Sequence, residues 1–497
     1  MSAKLSSNGH AGRRWCAGLI VFATALAAGP VLAQVPIPAI TGPIPGDAPG
    51  SADHNYTFLA TDKPLGSYNY VEQEFFMSGT AVIYGNLTTP PGVGSAAVQA
   101  PTGLVSGSAP YTTNIVVRRP TSDANFNGTV IVEWANVTSG YNNAPDWTQS
   151  ADYFLAAGYA YAEVSAQANG ITATPNGLNA WSPIRYGTLD VTNGGTLTAD
   201  QLSFSIFSQA GQAIRTNAGN IMGGLTIKHM IAAGTSQSAG WLSVYLNGVQ
   251  PLDNVYDAAL LRIGGELIRA DLNIPVIKLL SESEFSNNST DNEIPVLQPD
   301  SDGTGVHGAG GFRIWPVAGT SHADYNNAIQ KRAVVLRDLG VDTLVVQCGA
   351  PALSRIPMHY VLDAAYADLV RWLDTSVAPP HAPMFQLIST TPPSASTDSY
   401  GPDLARDSDG NALGAIRLAD EQVPVATNTG SNFGPALCFL NGTYIPFTEA
   451  HLQQLYPTHQ DYLSEFAAAA LAVYKQGFIL QGDLTQDVNA AAAASVP

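Results

Sequence analysis

Between residues 229 and 340 short, almost wholly apolar runs alternate with stretches of helical periodicity, and no other feature of the chain limits its fold as strongly. Residues 229–233, 274–280 and 312–317 read as strands, and residues 237–247 and 324–339 as helices, the second closed by Gly340. Strands and helices in alternation bury their apolar faces as a parallel sheet with right-handed crossovers and helices on both sides. The same texture begins upstream. Residues 129–134 (TVIVEW) are apolar enough for a central strand covered on both faces, and a helix over 146–157 leads to a second such run at 159–164. β-prone runs at 68–76, 80–84 and 114–117 precede them, and Thr198 with Gln201 predicts a capping box opening a helix over 199–216. Another helix is expected over 360–374. The expected fold class is α/β, a mostly parallel central sheet with helices on both faces, plus insertions and a C-terminal extension.

At 497 residues the chain calls for one large domain with insertions or for two domains. Residues 1–33 read as an export signal: Lys4, Arg13 and Arg14 make a positive start, 15–28 is mostly small and apolar, and Ala33 is the small residue before cleavage. A membrane anchor needs ~20 apolar residues, and this run is shorter and broken by Gly29-Pro30. Residues 34–64 make an extended lead-in. Residues 65–379 form the α/β core, with a polar insertion at about 286–311. Residues 380–480 are a turn-rich extension, densest in turns over 380–445 and ending in an alanine-rich helix at 463–475, and 481–497 are expected to fray.

Cleavage after residue 33 takes three of 21 cations and none of 39 acids, leaving 18 against 39, a net charge of −21. Phosphate backbones are held by Lys/Arg clusters, and the mature chain has none, which excludes a nucleic-acid partner. The same reading expects a secreted or periplasmic protein with no stable membrane insertion after cleavage. Cys16 leaves with the signal, so Cys348 and Cys438 remain as an even pair in an oxidising compartment and are expected to form a disulfide.

The segment Gly234-Thr235-Ser236-Gln237-Ser238-Ala239-Gly240 falls directly between a strand and a helix. A serine at such a turn lifts its hydroxyl clear of the sheet, and the N–H groups opening the helix can hold an oxyanion. Ser236 is the candidate nucleophile, although Ser238 stands where G-x-S-x-G has its last glycine. A glycine- and serine-rich β-α turn that binds nothing is the plain alternative. Order downstream favours chemistry: Ser281-Glu282-Ser283-Glu284 ends the strand at 274–280, and His322 lies on the loop after the following strand. Acids belong at the carboxyl ends of parallel strands. Either Glu282 or Glu284 then orients the base, and alternating side-chain direction on a strand end lets just one of them face His322. Ser, Glu and His at the ends of successive strands is the α/β-hydrolase order.

On these residues the chain resembles the α/β-hydrolase superfamily, and is similar to a group of exported bacterial esterase-like hydrolases. The matching stretches are residues 132–137, 234–240, 275–284 and 318–324 and the neighbourhoods of Cys348 and Cys438, within a likeness covering about 65–480. The resemblance implies Ser236 as nucleophile, His322 as base and Glu284, nine residues after Pro275, as acid, with Glu282 in reserve. It implies an oxyanion hole from the N–H of Gln237 and one from the loop after the strand at 129–134, first Val137 and next Asn136. A glycine-rich HGGG stretch is absent there.

Trp134, Tyr141, Trp147, Gln167, Trp181, Arg185 and Tyr186 are expected on loops at strand ends, where they either line an acyl or alcohol pocket or simply pack. His229 and His359 sit on regular elements and read as structural. Asp407-Ser408-Asp409-Gly410-Asn411 lacks calcium-loop spacing and reads as a tight acidic turn. No metal and no cofactor is expected, since H-E-x-x-H, P-loop and dinucleotide patterns are missing. The expected activity is a secreted serine esterase acting on small-molecule or lipid-like esters. A serine peptidase or other acyl-transfer enzyme on the same residues, or a non-catalytic secreted binding protein using 380–445, stays open.

Overall fold

The apolar runs become strands of one ten-stranded sheet. In chain order these are β1 (Ala39–Thr41), β2 (Tyr70–Tyr84), β3 (Val105–Pro120), β4 (Thr129–Trp134), β5 (Ala160–Val164), β6 (His229–Thr235), β7 (Ala258–Arg262), β8 (Val276–Ser281), β9 (Ser301–Asp302) and β10 (Gly311–Val317). In space the order is β1-β2-β3-β5-β4-β6-β7-β8-β10-β9. The stretch from β5 to β10 is parallel, and β1, β2 and β3 on one side and β9 on the other join antiparallel. The computed structural model describes residues 35–84, 105–287, 298–304, 306–388, 404–435 and 437–497. The expected export signal at 1–33 and parts of the regions at 286–311 and 380–445 lie outside the described residues.

Side chains alternate across each strand, so the sheet splits its apolar residues between two cores. Val130, Val132, Trp134, Met230 and Ala232 face the helices Ser203–Arg215 and Gln237–Gly248. Ile131, Ile231, Ala233, Leu260, Ile277 and Trp315 face the helices Pro145–Ala157 and Met358–Thr375. From β4 the chain moves to β5 on one side and then returns to β6 on the other. A crevice at the carboxyl ends of β4 and β6 follows from that reversal, the usual place for a ligand site on an open α/β sheet.

Several elements differ from expectation. The runs at 68–76 and 80–84 are one strand, β2, whose register with β3 runs from Tyr70↔Pro120 to Tyr84↔Val105. β7 was not foreseen, so the strands bearing Ser236 and the two glutamates are not successive. The helix expected over 199–216 begins at Ser203, and no capping box forms at Thr198. Asp200 adopts φ 51° and spends its carboxylate on the Gln167 amide and Ala168 N–H instead. Residues 481–497 are largely the helix Gln481–Ala493, and the fraying expectation is corrected. Leu484 and Ala491 are buried, and the Asp483 carboxylate accepts from Leu480 N–H at 3.1 Å. The extension also holds the helix His459–Gln476 and a hairpin of β11 (Ala426–Thr429) and β12 (Thr443–Pro446).

Candidate active site

Ser236 sits at the sharp turn between β6 and the helix Gln237–Gly248, with φ 56° and ψ −119°. That conformation costs a non-glycine residue ~1–3 kcal/mol. Around it the turn is tied down. Ser236 N–H donates to Arg262 O at 2.9 Å, and the Ser238 hydroxyl both accepts from Thr235 N–H and donates to Thr235 O, each at 2.9 Å. Glycine is required at 234, where a Cβ would lie 2.8 Å from Ser238 O.

The Ser236 hydroxyl meets His322 Nε2 at 2.8 Å, and His322 Nδ1 meets Glu284 Oε1 at 2.6 Å. Glu284 Oε2 accepts from Ser281 N–H at 2.8 Å and from the Ser281 hydroxyl at 2.6 Å, so both carboxylate oxygens are engaged and the group is fixed. The His322 loop is held from behind: its N–H donates to Ser283 Oγ at 3.0 Å, and Ser283 Oγ donates to Gly430 O at 2.5 Å. Glu282 is turned away from the imidazole. It accepts from Gly319 N–H at 2.9 Å and pairs with Arg406 at 2.6 Å. The two glutamates diverge because Glu282–Asn287 is a helix, on which residues two apart point to different sides, and not because of strand alternation.

Val137 N–H faces Gln237 and donates to its side-chain oxygen at 3.3 Å. As the first residue of its helix, Gln237 has an N–H without an intrahelical acceptor. Asn136 is corrected as a donor: its N–H is committed to Asn143 O at 2.9 Å and its amide to Thr235 O at 2.8 Å.

Most of the expected pocket residues pack instead. Trp134 is fully buried against Phe207, its ring centroid 4.7 Å away, and Trp147 lies under the Arg118 guanidinium. Trp181 stacks on His54 and donates to Asp338 O at 3.0 Å. Tyr186 is buried and accepts from Phe58 N–H at 2.9 Å, and Arg185 pairs with buried Glu74 at 2.6 Å. Tyr141 is half-buried against Phe58, and Gln167 is buried behind Gln237. Trp134, Trp181 and Tyr186 pack their rings and give their polar atoms hydrogen-bond partners, as large aromatics with a polar atom do when buried. His229 pairs with Asp374 at 2.7 Å, and burial pushes His359 down to about 4. Asp407 caps its own turn by accepting from Asp409 N–H and Asn411 N–H, both at 3.0 Å. Cys348 and Cys438 are bridged. Among the described residues no group of His, Cys, Asp and Glu is placed to hold a metal, and no helix is long and apolar enough to cross a membrane.

A buried network beneath the turn escaped the sequence reading. Asp146 accepts from Thr235 Oγ at 2.7 Å, from Arg262 Nε at 2.6 Å and from Tyr366 OH at 2.5 Å. Neighbouring Glu133 is pushed well up by burial and by the Asp146 charge. The signal was available: Arg262 closes an otherwise apolar run, AALLR, and a charge there demands a partner.

Solved structures similar to this chain include three esterases. Esterase Est22 overlaps 34% of this chain and 59% of its own at 11% identity and TM-score 0.24. A cold-adapted esterase from an Arctic intertidal metagenomic library overlaps 49% and 85% at 13% identity and TM-score 0.26. Esterase 2 of Thermogutta terrifontis overlaps 41% and 77% at 10% identity and TM-score 0.24. No curated protein matches the sequence. The family model described as "Alpha/beta hydrolase domain" matches residues 40–489, nearly the whole described chain, and the protein belongs to that family.

Proposed function

We propose that the protein is an exported serine hydrolase that cleaves carboxylic esters through an acyl-enzyme. The observation that carries this reading is the relay from Ser236 Oγ through His322 to Glu284, with contacts of 2.8 and 2.6 Å. In the first step Ser236 Oγ bonds to the ester carbonyl carbon while its proton passes to His322 Nε2. The carbonyl electron pair moves to oxygen, and the N–H groups of Gln237 and Val137 stabilise the charge. Collapse breaks the bond to the alcohol oxygen, which takes the proton from His322. Water then adds to the acyl carbon with its proton passing to His322, and the bond to Ser236 Oγ breaks as Oγ takes that proton back and the acid leaves. Glu284 holds the imidazole in the required tautomer throughout. Export is supported by the pattern of residues 1–33 and by the Cys348–Cys438 bridge, a bond that persists in oxidising compartments.

Ser236→Ala tests the reading. It should abolish cleavage of p-nitrophenyl esters and labelling by a fluorophosphonate while leaving the melting temperature in place. Labelling that persists at another serine removes the assignment.

A further inference from the structure

Gln237 brings more to the site than a backbone donor. Its Oε1 accepts from Val137 N–H at 3.3 Å, and its Nε2 donates to Gln167 Oε1 at 2.9 Å. Obligate partners at the far end of this chain of bonds fix which end of each amide carries oxygen. The Trp134 indole, which can only donate, points at Gln167 Oε1 at 3.1 Å. The Asp200 carboxylate accepts from Gln167 Nε2 at 3.1 Å and from Ala168 N–H at 2.7 Å. With Gln167 so oriented, Gln237 turns its NH2 inward and its carbonyl oxygen onto Val137. Trp134 and Gln167 are buried, whereas Gln237 is half-buried.

A carboxamide carbonyl is planar and partly negative at oxygen, as an ester carbonyl is. We infer that the Gln237 side chain is an internal stand-in for the substrate carbonyl, occupying the Val137 donor in the resting site and yielding it when an ester enters. This rests on the ester-hydrolase reading and adds to it a residue that sets how well a carbonyl must compete to bind. The 3.3 Å contact is longer than the usual N–H···O range of about 2.7–3.2 Å, so the outer hold is the weaker one. Because the stand-in is displaced by the substrate and stays displaced in the transition state, its removal strengthens both alike, and the gain falls in KM.

The test compares wild type, Gln237→Ala and Gln237→Met, both of which keep the residue-237 N–H. The readouts are KM and kcat on p-nitrophenyl butyrate and the inhibition constant of an alkyl trifluoromethyl ketone. Such a ketone adds the Ser236 hydroxyl across its carbonyl, with the proton passing to His322, and leaves an oxyanion on the same donors. KM and the inhibition constant should both fall about three- to tenfold, the worth of one weak hydrogen bond. Melting curves identify a folded variant, and near-isosteric methionine serves where alanine unfolds. Unchanged constants, or a loss of kcat at unaltered KM, overturn the inference; a merely structural role does not tighten an inhibitor. Fluorophosphonate labelling of wild-type Ser236 separates the failures. Labelling without a shift in the constants removes the stand-in alone, and absence of labelling removes the ester-hydrolase reading and the stand-in together.

Discussion

Exchanging Glu284 for glutamine should stop turnover through a change of tautomer. In the native site Oε1 is shared with His322 Nδ1 at 2.6 Å, while Oε2 accepts from Ser281 N–H at 2.8 Å and from its hydroxyl at 2.6 Å. Glutamine has one acceptor oxygen, and the Ser281 N–H can only donate, so that oxygen stays on Ser281 and the NH2 faces Nδ1. Nδ1 must then accept. The ring proton moves to Nε2, where it points at Ser236 and leaves no base for the hydroxyl proton. A wrong tautomer in a Ser-His-acid site costs about 10⁴ in kcat, or about 5.4 kcal/mol of barrier. Glu282→Gln is the control. It keeps an acceptor for Gly319 N–H but loses the charge that pairs with Arg406, itself 31% exposed. It should cost about 1–3 kcal/mol of stability and less than about tenfold in kcat. Initial rates on p-nitrophenyl butyrate, read beside thermal melts, decide the matter. Equal losses in the two variants, or a Glu284→Gln enzyme within tenfold of wild type, refute the reasoning.

Two further predictions concern stability. Burial pushes Asp420 and Asp483 each up to about 6; burial and the charges of those two push Asp487 up to about 9, and burial with the charges of Asp483 and Asp152 raises Asp363. The fold holds these protons longer than an unfolded chain with carboxyls near ~3.9, so this contribution is complete below about pH 4 and is lost as pH rises through those values. Melting temperature should therefore decline from pH 5 to 8.5, and Asp487→Asn should raise it more at the higher pH; an equal gain at both rejects the cluster as the cause. The Cys348–Cys438 bridge closes a loop of 90 residues, which the chain-entropy account values at about 4–5 kcal/mol. Thiol counting on the non-reduced protein should find none free in the mature chain, and Cys438→Ser should lower the melting temperature by several degrees.

Most of the parallel core was legible because its strands are almost continuous apolar runs between turn residues, as at 129–134 and 276–281. β7 was not, since AALLR carries a terminal arginine and looks amphipathic until its partner Asp146, 116 residues away, is known. The C-terminal helix was missed for a related reason. Its buried face combines Leu484 and Ala491 with Asp483 and Asp487, and polarity there read as exposure. At the site, the strand-turn-helix segment and the order Ser236, Glu284, His322 were visible along the chain, because each lies at a strand end. Choosing Glu284 over Glu282 needed coordinates, for the strand stops at Ser281 and a helix begins at once. Pocket and packing stayed open for the aromatics because loops near a site and loops that close a core have the same composition. Trp181 and Tyr186 turned out to anchor the segment around Tyr56 and Phe58.

Ser238 shows how a departure from a motif can stiffen it. Glycine at that place would only permit close packing, whereas the serine hydroxyl closes a reciprocal pair of bonds on the Thr235 backbone, both 2.9 Å long. A hydrogen bond of this kind is worth about 0.5–1.5 kcal/mol, so two of them offset the ~1–3 kcal/mol of strain stored in the positive φ of Ser236. The side chain of Thr235 is pinned from the other face by Asp146, and Asp146 in turn by Arg262, whose carbonyl accepts the Ser236 N–H. One arginine thus touches Ser236 through its backbone and Thr235 through a carboxylate. Its charge is buried against an opposite charge, which keeps the network from loosening toward water. The position of Ser236, 2.8 Å from His322, is therefore set from its own side by β6, β7 and the helix Pro145–Ala157, all rigid parts of the fold, while Ser283 and Glu284 hold the imidazole from the other.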